Sequence, residues 1–451
     1  MTYIINSTSF TNRKATTMNN NSGSALTDYQ VPITVTYAVA MKADYGDIRF
    51  AYPNGTNIPY WLESKTNSVT ALFWIKCDLP YYGASPTGDN IVYIYYGNPN
   101  LTSISSIPNT FIREISNVVG AWDFNDNAYD LSSKGNNLTV SNASYVTGAF
   151  GTKGLSFDGS ITSYVQNLSI SSFGLGTNTT FTAWIKPTTI TGGFSCNIHN
   201  NDGGAGRCIM FLYDHGLFIG VNKDGCLFAD TSANGSSWTN TTNTPAGVIV
   251  AGNSYFIAIV VRDNVAIDYY VNGSLIHTTT ITNSAIYNKT AFGIGTISSW
   301  PGAGFIGTID EPRIYNNKLS SEEIASIANN RGYVTTNYAG KELVHKYVTA
   351  SPTVSIGTEQ VPTGITATSM TIAKSENPCR TGICTVTIDV TWTNNGLVPE
   401  SFIPSITANG TPVVVTPPLT DVTANPSGTV SQRFTMSNIP ANIYSICPNP
   451  N

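Results

Sequence analysis

The sequence predicts an all-β protein built from consecutive β-sandwiches, and three observations carry that expectation. Apolar and polar residues alternate with period two over many short segments, the spacing of half-buried strands. Only 11% of the 451 residues are charged, while 41% are hydrophobic, including 24 Tyr and 18 Phe. That apolar content excludes a disordered chain, and the Val, Ile and Tyr within it, with the abundant Thr, suit a pleated surface. Asn and Gly sit between the alternating segments, where tight turns need them. The length fits roughly two to four domains of ordinary size.

A net charge of −5 without a basic cluster argues against nucleic acid as a partner, because phosphate contacts need Lys and Arg. No stretch reaches the ~20 consecutive apolar residues of a membrane helix, so direct membrane insertion is not expected. The best candidate, Ala246 to Val261, is interrupted by Asn253 and Ser254 and reads as two strands. The first residues lack the basic start and apolar run of a signal peptide. The chain is therefore expected either to be exported as a longer precursor or to reach the outside unsecreted, as a virion component would. Sequons such as Asn6, Asn54, Asn137, Asn178, Asn272 and Asn409 permit glycosylation.

The first segment, residues 1–113, has the pattern of a small jelly-roll-like sandwich. Val31, Ile33, Val35 and Tyr37 alternate with polar positions, and Val69, Ala71, Phe73 and Ile75 repeat the pattern. Ile91 to Tyr96 is a continuous apolar run ended by Gly97-Asn98, as expected of a buried strand and its turn. The blocks "DIRFAYPNGTNIPYWLES", "ALFWIKCDLP" and "IVYIYYGNPN" resemble domain-of-unknown-function family number 2341. That family occurs in archaeal and bacterial surface proteins beside laminin-G-like modules, and has no assigned activity.

Residues 114–360 form the second and largest segment. Phe181, Ala183 and Ile185 alternate, as do Ile267, Tyr269 and Val271 before an Asn272-Gly273 hairpin turn. Ser320 and Glu323 make a capping box, with Ile324, Ile327 and Ala328 at helical spacing behind it. The ordered blocks "GAWDFNDNAYDLSSKGNNLTV", "FTAWIKPT", "IDYYVNGSLIHTTT" and "FIGTIDEPRIYNNKLSSEEIASI" resemble the laminin-G/concanavalin A-like jelly roll. The strand 353–360 is expected to close this module. In the third segment, 361–451, Val386, Ile388, Val390 and Trp392 alternate before the turn Asn394-Asn395-Gly396. Its short strands and Pro-rich connectors suit an immunoglobulin-like sandwich.

Glycoside hydrolysis needs two carboxylates about 5 to 9 Å apart on either side of the scissile bond. Nothing in the sequence has that form. Glu322 and Glu323 fall on the helix, and Asp310 and Glu311 are adjacent, so on a regular strand they point to opposite faces. The histidines, His199, His215, His277 and His345, accompany no nucleophile elbow and read as surface or edge-strand residues. The Gly-rich run at 201–208 lacks the ending and helix of a phosphate loop. An enzyme is not expected.

Calcium binding draws on carboxylates and carbonyls. Asp130, with Asn136 in the following Gly-containing turn, supplies such oxygens. The laminin-G resemblance implies that Asp130 and Asp310 meet at one sheet edge around a structural calcium, with a carbonyl near Asn136. The competing reading is that Asp130 caps a turn and Asp310 accepts from backbone amides. Glycan recognition uses exposed aromatic faces, and Trp300 and Trp238, both in polar loops, are the candidates. Trp61, Trp74, Trp122, Trp184 and Trp392 lie in strand patterns and are expected in cores. Of the seven cysteines, Cys379 and Cys384 flank a short turn that a disulfide could close.

The resulting expectation is a non-enzymatic adhesion or binding protein that is extracellular, on a cell or virion surface. It would recognise a glycan or surface protein through the second module and form a homo-oligomer or larger assembly. The alternative is a structural spike, fibre or decoration subunit.

Overall fold

The computed structural model describes residues 2–81, 90–171, 173–191, 207–212, 215–282, 289–296 and 304–362, followed by the strands of the last segment. Every strand pairing among them is antiparallel, and no helix there is long and apolar enough to cross a membrane.

In the first sandwich, Leu26–Thr36, Thr70–Leu79 and Tyr60–Thr66 form one sheet. The facing sheet runs in the order Thr353–Gln360, Asn12–Asn19, Asn90–Tyr96, Arg49–Ala51, Asn57–Ile58. The alternation read from the sequence fills the core between them: Val31, Ile33 and Val35 meet Ala71, Phe73, Ile75, Val92 and Ile94. Val69 is the exception, exposed in the turn before its strand.

The strand expected to close the second module does not do so. Thr353–Gln360 pairs with Asn12–Asn19, from Thr353 opposite Asn19 to Gln360 opposite Arg13. Val354 and Ile356 pack on the first core. Asn12–Asn19 would otherwise be an open sheet edge with unsatisfied backbone groups, and the returning strand covers it. The central sandwich is thus inserted between strands of the first.

That sandwich has a seven-stranded sheet ordered Thr139–Ser141, Tyr164–Asn167, Phe292–Ile294, Arg207–Leu212, Leu217–Val221, Leu227–Thr231, Asn240–Asn243. Its partner runs Ser144–Thr147, Lys153–Asp158, Ile306–Tyr315, Thr179–Pro187, Tyr255–Arg262, Ala266–Val271, Ser274–Thr280, and Val118–Ala121 also pairs with Ile306–Tyr315. Phe181, Ala183, Ile185, Ile267 and Tyr269 enter the core between the sheets. The segment 246–261 yields one strand, Tyr255–Arg262, preceded by turns. The hairpin at Asn272-Gly273 has φ of +50° and +82° at its two residues, the geometry of a tight two-residue connection.

The outer face of the eight-stranded sheet is itself covered. The helix Ser321–Asn329, with both halves of its capping box formed, lies there. A small sheet of Arg113–Ser116, Lys341–His345 and Arg331–Val334 lies beside it. Phe256, Ala258, Val260, Tyr315, Ile324, Ile327 and Val344 form this second apolar layer. The small sheet also meets the first sandwich, where Trp61, Trp74 and Phe111 pack with Leu343. In the last segment, Ile365–Lys374, Ile383–Asn394 and Thr429–Pro440 form a sheet that buries Ile388, Val390 and Trp392.

Candidate functional site

Strand pairing decides which side chains meet on the outer face of the eight-stranded sheet. Thr179–Pro187 places Trp184 opposite Asp310 and Lys186 opposite Thr308. On its other side Trp184 is opposite Phe256. Because alternate residues face opposite ways, Ala183 and Ile185 go to the core while Trp184, Lys186 and Thr308 face outward. The loop after Ser144–Thr147 folds over them. Thr147, Ala149, Trp184, Lys186, Ser254 and Thr308 line a cavity of about 290 Å³.

Trp184, expected in the core, is a half-buried wall of this cavity. Phe150 and Phe256 meet its ring at 79° and 60°, with centroids 5.3 and 5.5 Å away, and fix its orientation. Asp310 lies beneath the loop. Its Oδ2 accepts from the Ala149 amide at 2.9 Å and its Oδ1 from the Glu311 amide at 2.8 Å. Two glycines make room for the carboxylate: a Cβ on Gly148 would collide with Oδ2, and one on Gly154 would come within 3.1 Å of the Asp310 Cβ. Burial pushes the Asp310 carboxyl up to about 6.

The expectation that Asp310 and Glu311 point to opposite faces fails because the strand is not regular there. The register slips between Thr182 and Trp184, and Glu311 takes φ +44°, the mark of a β-bulge. Pro312, which lacks an amide for the ladder, was the available sequence signal. The bulge leaves both acids in one buried network. Arg313 is ion-paired with Asp123 and lies 3.8 Å from Glu311 and 3.5 Å from Glu342. Arg331 pairs with Glu311 at 3.0 Å, and the Tyr315 hydroxyl donates to Glu342. Burial pushes Glu311 up to about 8 and raises Glu342 as well. Sequence reasoning missed Arg313, Arg331 and Glu342, which lie on three different strands.

The residues expected to hold calcium are only partly brought together. Asp130 is buried, and its oxygens accept from the amides of Ala121, Ser132 and Asn136 at 2.9 to 3.1 Å. The Asn136 side-chain oxygen accepts from the Ser171 amide, and its backbone carbonyl accepts from the Trp122 indole. These contacts tie the 121–136 turn together, whereas the contacts of Asp310 serve the 148–149 loop. Among the described residues no group of three or more His, Cys, Asp or Glu side chains could hold a metal ion.

Trp238 is half-buried over an aromatic layer on the outer face of the seven-stranded sheet. It meets Phe211 and Phe218 at 6.4 and 6.5 Å and the His215 ring at 5.0 Å. Trp300 and Cys379 lie outside the described residues, as does the side chain of Cys384. Cys77 and Cys208 are buried free thiols, and Cys226 is disulfide-bonded. His345, expected at a surface or edge, is buried beside Trp74, and burial pushes its imidazole down to about 4.

Comparison with known proteins places these features. Residues 158–325 match the family model described as the concanavalin A-like lectin/glucanases superfamily. Residues 44–125 match the domain of unknown function 2341. No curated protein matches the chain. Among solved structures, the binding domain of Paraclostridial Mosquitocidal Protein 1 is 19% identical with a TM-score of 0.39, over 47% of this chain and 52% of that one. The chain thus spans about half the length of that protein. Domain 4 of an extracellular arabinanase from Geobacillus stearothermophilus, in complex with arabinotriose, is 19% identical with a TM-score of 0.36, over 47% and 98%. A heptameric pentraxin from Limulus polyphemus is 17% identical with a TM-score of 0.31, over 45% and 93%. By its two family matches, the chain carries a domain-of-unknown-function 2341 module followed by a laminin-G-like module of the concanavalin A-like superfamily.

Proposed function

We propose that this chain is a non-enzymatic binding protein of an extracellular, cell or virion surface that recognises a glycan through its central sandwich. The observation that carries the reading is the cavity over Trp184. An aromatic ring forms one wall, and the hydroxyls of Thr147, Ser254 and Thr308 stand around it with no side-chain hydrogen bond among the described residues. An apolar ring beside hydroxyl-bearing side chains open to water matches the two faces of a sugar, its C–H surface and its hydroxyl edge. Catalysis finds less support. Asp310, the carboxylate nearest the cavity, is buried under Gly148 with both oxygens engaged by amides, and a glycosidase needs a facing pair.

Thr308→Tyr tests the reading, because a phenol at this outward-facing strand position fills the cavity without entering the core. In a titration of the full chain against a glycan panel, every ligand bound by the native chain should weaken at least tenfold, with an unchanged melting curve. Full binding by the variant, or no glycan bound by the native chain, sinks the proposal.

Calcium enters this reading only as a structural ion at Asp130, Asn136 and Asp310, although the two acids serve different loops. It raises the melting temperature in excess calcium over excess chelator; equal values remove it.

The second reading is a structural subunit of a spike, fibre or filament that self-associates. Ordered oligomers by light scattering, without any glycan bound, would favour it.

A further inference from the structure

We infer that the cavity over Trp184 takes a carboxylate-bearing sugar unit, its C–H face on the Trp184 ring and its carboxylate on the Lys186 ammonium. This rests on the glycan-binding reading and adds the ligand's charge. Lys186 is exposed on the rim, opposite Thr308 and two residues from Trp184 on the same face of the sheet. Most other lysines among the described residues are neutralised or capped; Lys14 and Lys134, which do not line this cavity, are the exceptions. Lys153 lies 3.9 Å from Asp126, Lys318 2.8 Å from Asp263 and Lys341 2.7 Å from Glu114. Lys42, Lys65 and Lys346 donate to carbonyls. Lys186 has neither kind of partner among the described residues.

The nearest acid across the strands, Asp310, does not supply one. Its oxygens accept from the amides of Ala149 and Glu311 beneath the loop. In a chain of net charge −5, an ammonium with no carboxylate beside an aromatic wall is a local positive spot. An anionic ligand gains a charge-assisted hydrogen bond there that a neutral one does not. The ring and the hydroxyls of Thr147, Ser254 and Thr308 distinguish a sugar acid from a bare phosphate or a peptide carboxylate, neither of which offers a C–H face with hydroxyls. At about 290 Å³ the cavity has room for one sugar unit.

The test titrates the full chain at low salt with a uronic-acid disaccharide, the matching neutral disaccharide and a sulfated neutral disaccharide, following binding by calorimetry. The expected result is at least tenfold tighter binding of the uronic acid than of the neutral sugar. Lys186→Ala should abolish that preference, Lys186→Arg should retain it, and 0.5 M salt should weaken it. Equal affinity for acidic and neutral sugars, or a preference that survives Lys186→Ala, overturns this inference and leaves the glycan-binding reading standing. Preference for the sulfated sugar over the uronic acid also overturns the carboxylate assignment. Binding of none of the three, in a chain that binds no other glycan, overturns the inference and the reading together.

Discussion

Replacing Glu63 with Ala should cost about 3–5 kcal/mol of stability, the largest single-site loss expected in this chain. Glu63 is buried in the first sandwich, on the strand Tyr60–Thr66. Four neutral donors converge on its carboxylate. The Trp74 indole reaches Oε2 at 2.8 Å, and the Tyr333 hydroxyl lies 2.9 and 3.0 Å from the two oxygens. The Thr335 hydroxyl and the Asn337 amide reach Oε1 at 2.8 and 3.0 Å. Burial, followed by the Glu63 charge, holds the Tyr333 hydroxyl well above its ordinary value, so it stays a donor. Three of the four donors come from the far end of the second module, so the substitution strands buried groups on both sides of the module boundary.

Glu63→Gln keeps the shape but presents an amide N–H to donors that need an acceptor, and should recover only part of the loss. Chemical denaturation of the full chain measures both variants, and proteolysis should find new cleavage near residues 97–112. A loss below about 1 kcal/mol for Glu63→Ala would mean that the apolar contacts of Trp61, Trp74, Phe111 and Leu343 hold the modules unaided.

The second large effect is a fall in stability with rising pH that Glu311→Gln should flatten. Around Arg313 and Arg331 stand four carboxyl groups, those of Asp123, Asp310, Glu311 and Glu342. Two guanidinium groups cannot match four negative charges, three of them buried, so the cluster keeps protons that the unfolded chain would release. Burial is the first cause, lifting Asp310 to about 6 and Glu311 to about 8. Arg331 and Arg313 oppose the shift at Glu311, while Asp123 and Asp310 add to it.

The sign follows from proton counting. Between the ordinary glutamate value of 4.5 and about 8, folded Glu311 holds a proton and unfolded Glu311 does not. Stability therefore falls as pH rises through that window; the contribution is complete below it and gone above it. The amplitude is on the order of 3–5 kcal/mol. The stability of Glu311→Gln relative to the native chain should accordingly climb from pH 5 to pH 9. Parallel stability curves for the two proteins would show that Glu311 is ionised throughout, held by Arg331 at 3.0 Å.

By itself the sequence determined what depends on neighbours along the chain. Alternation assigned Ile33, Phe73, Ala183 and Ile267 to cores, because strand geometry turns every second side chain the same way. Asn272-Gly273 specified its turn, and Ser320 with Glu323 specified a helix start, because both are satisfied within a few residues. The ordered motifs carried the family assignment for the same reason. Asp130 was legible as an acid in a turn, and the structure finds its oxygens on nearby amides.

Tertiary structure alone decided who stands beside whom. Periodicity places Trp184 on a face without saying that the face is a cavity wall rather than a core, since the outer layer of the sheet is built by segments far along the chain. Thr353–Gln360 carries the same signal whichever sheet it joins, and it joined the one with an open edge at Asn12–Asn19. One bulge at Glu311 turned two acids expected on opposite faces into members of one buried network. Glu63 met Tyr333 across 270 positions of sequence. Local pattern selects the face of each strand, but packing and register select its neighbours, and the candidate site is made of neighbours.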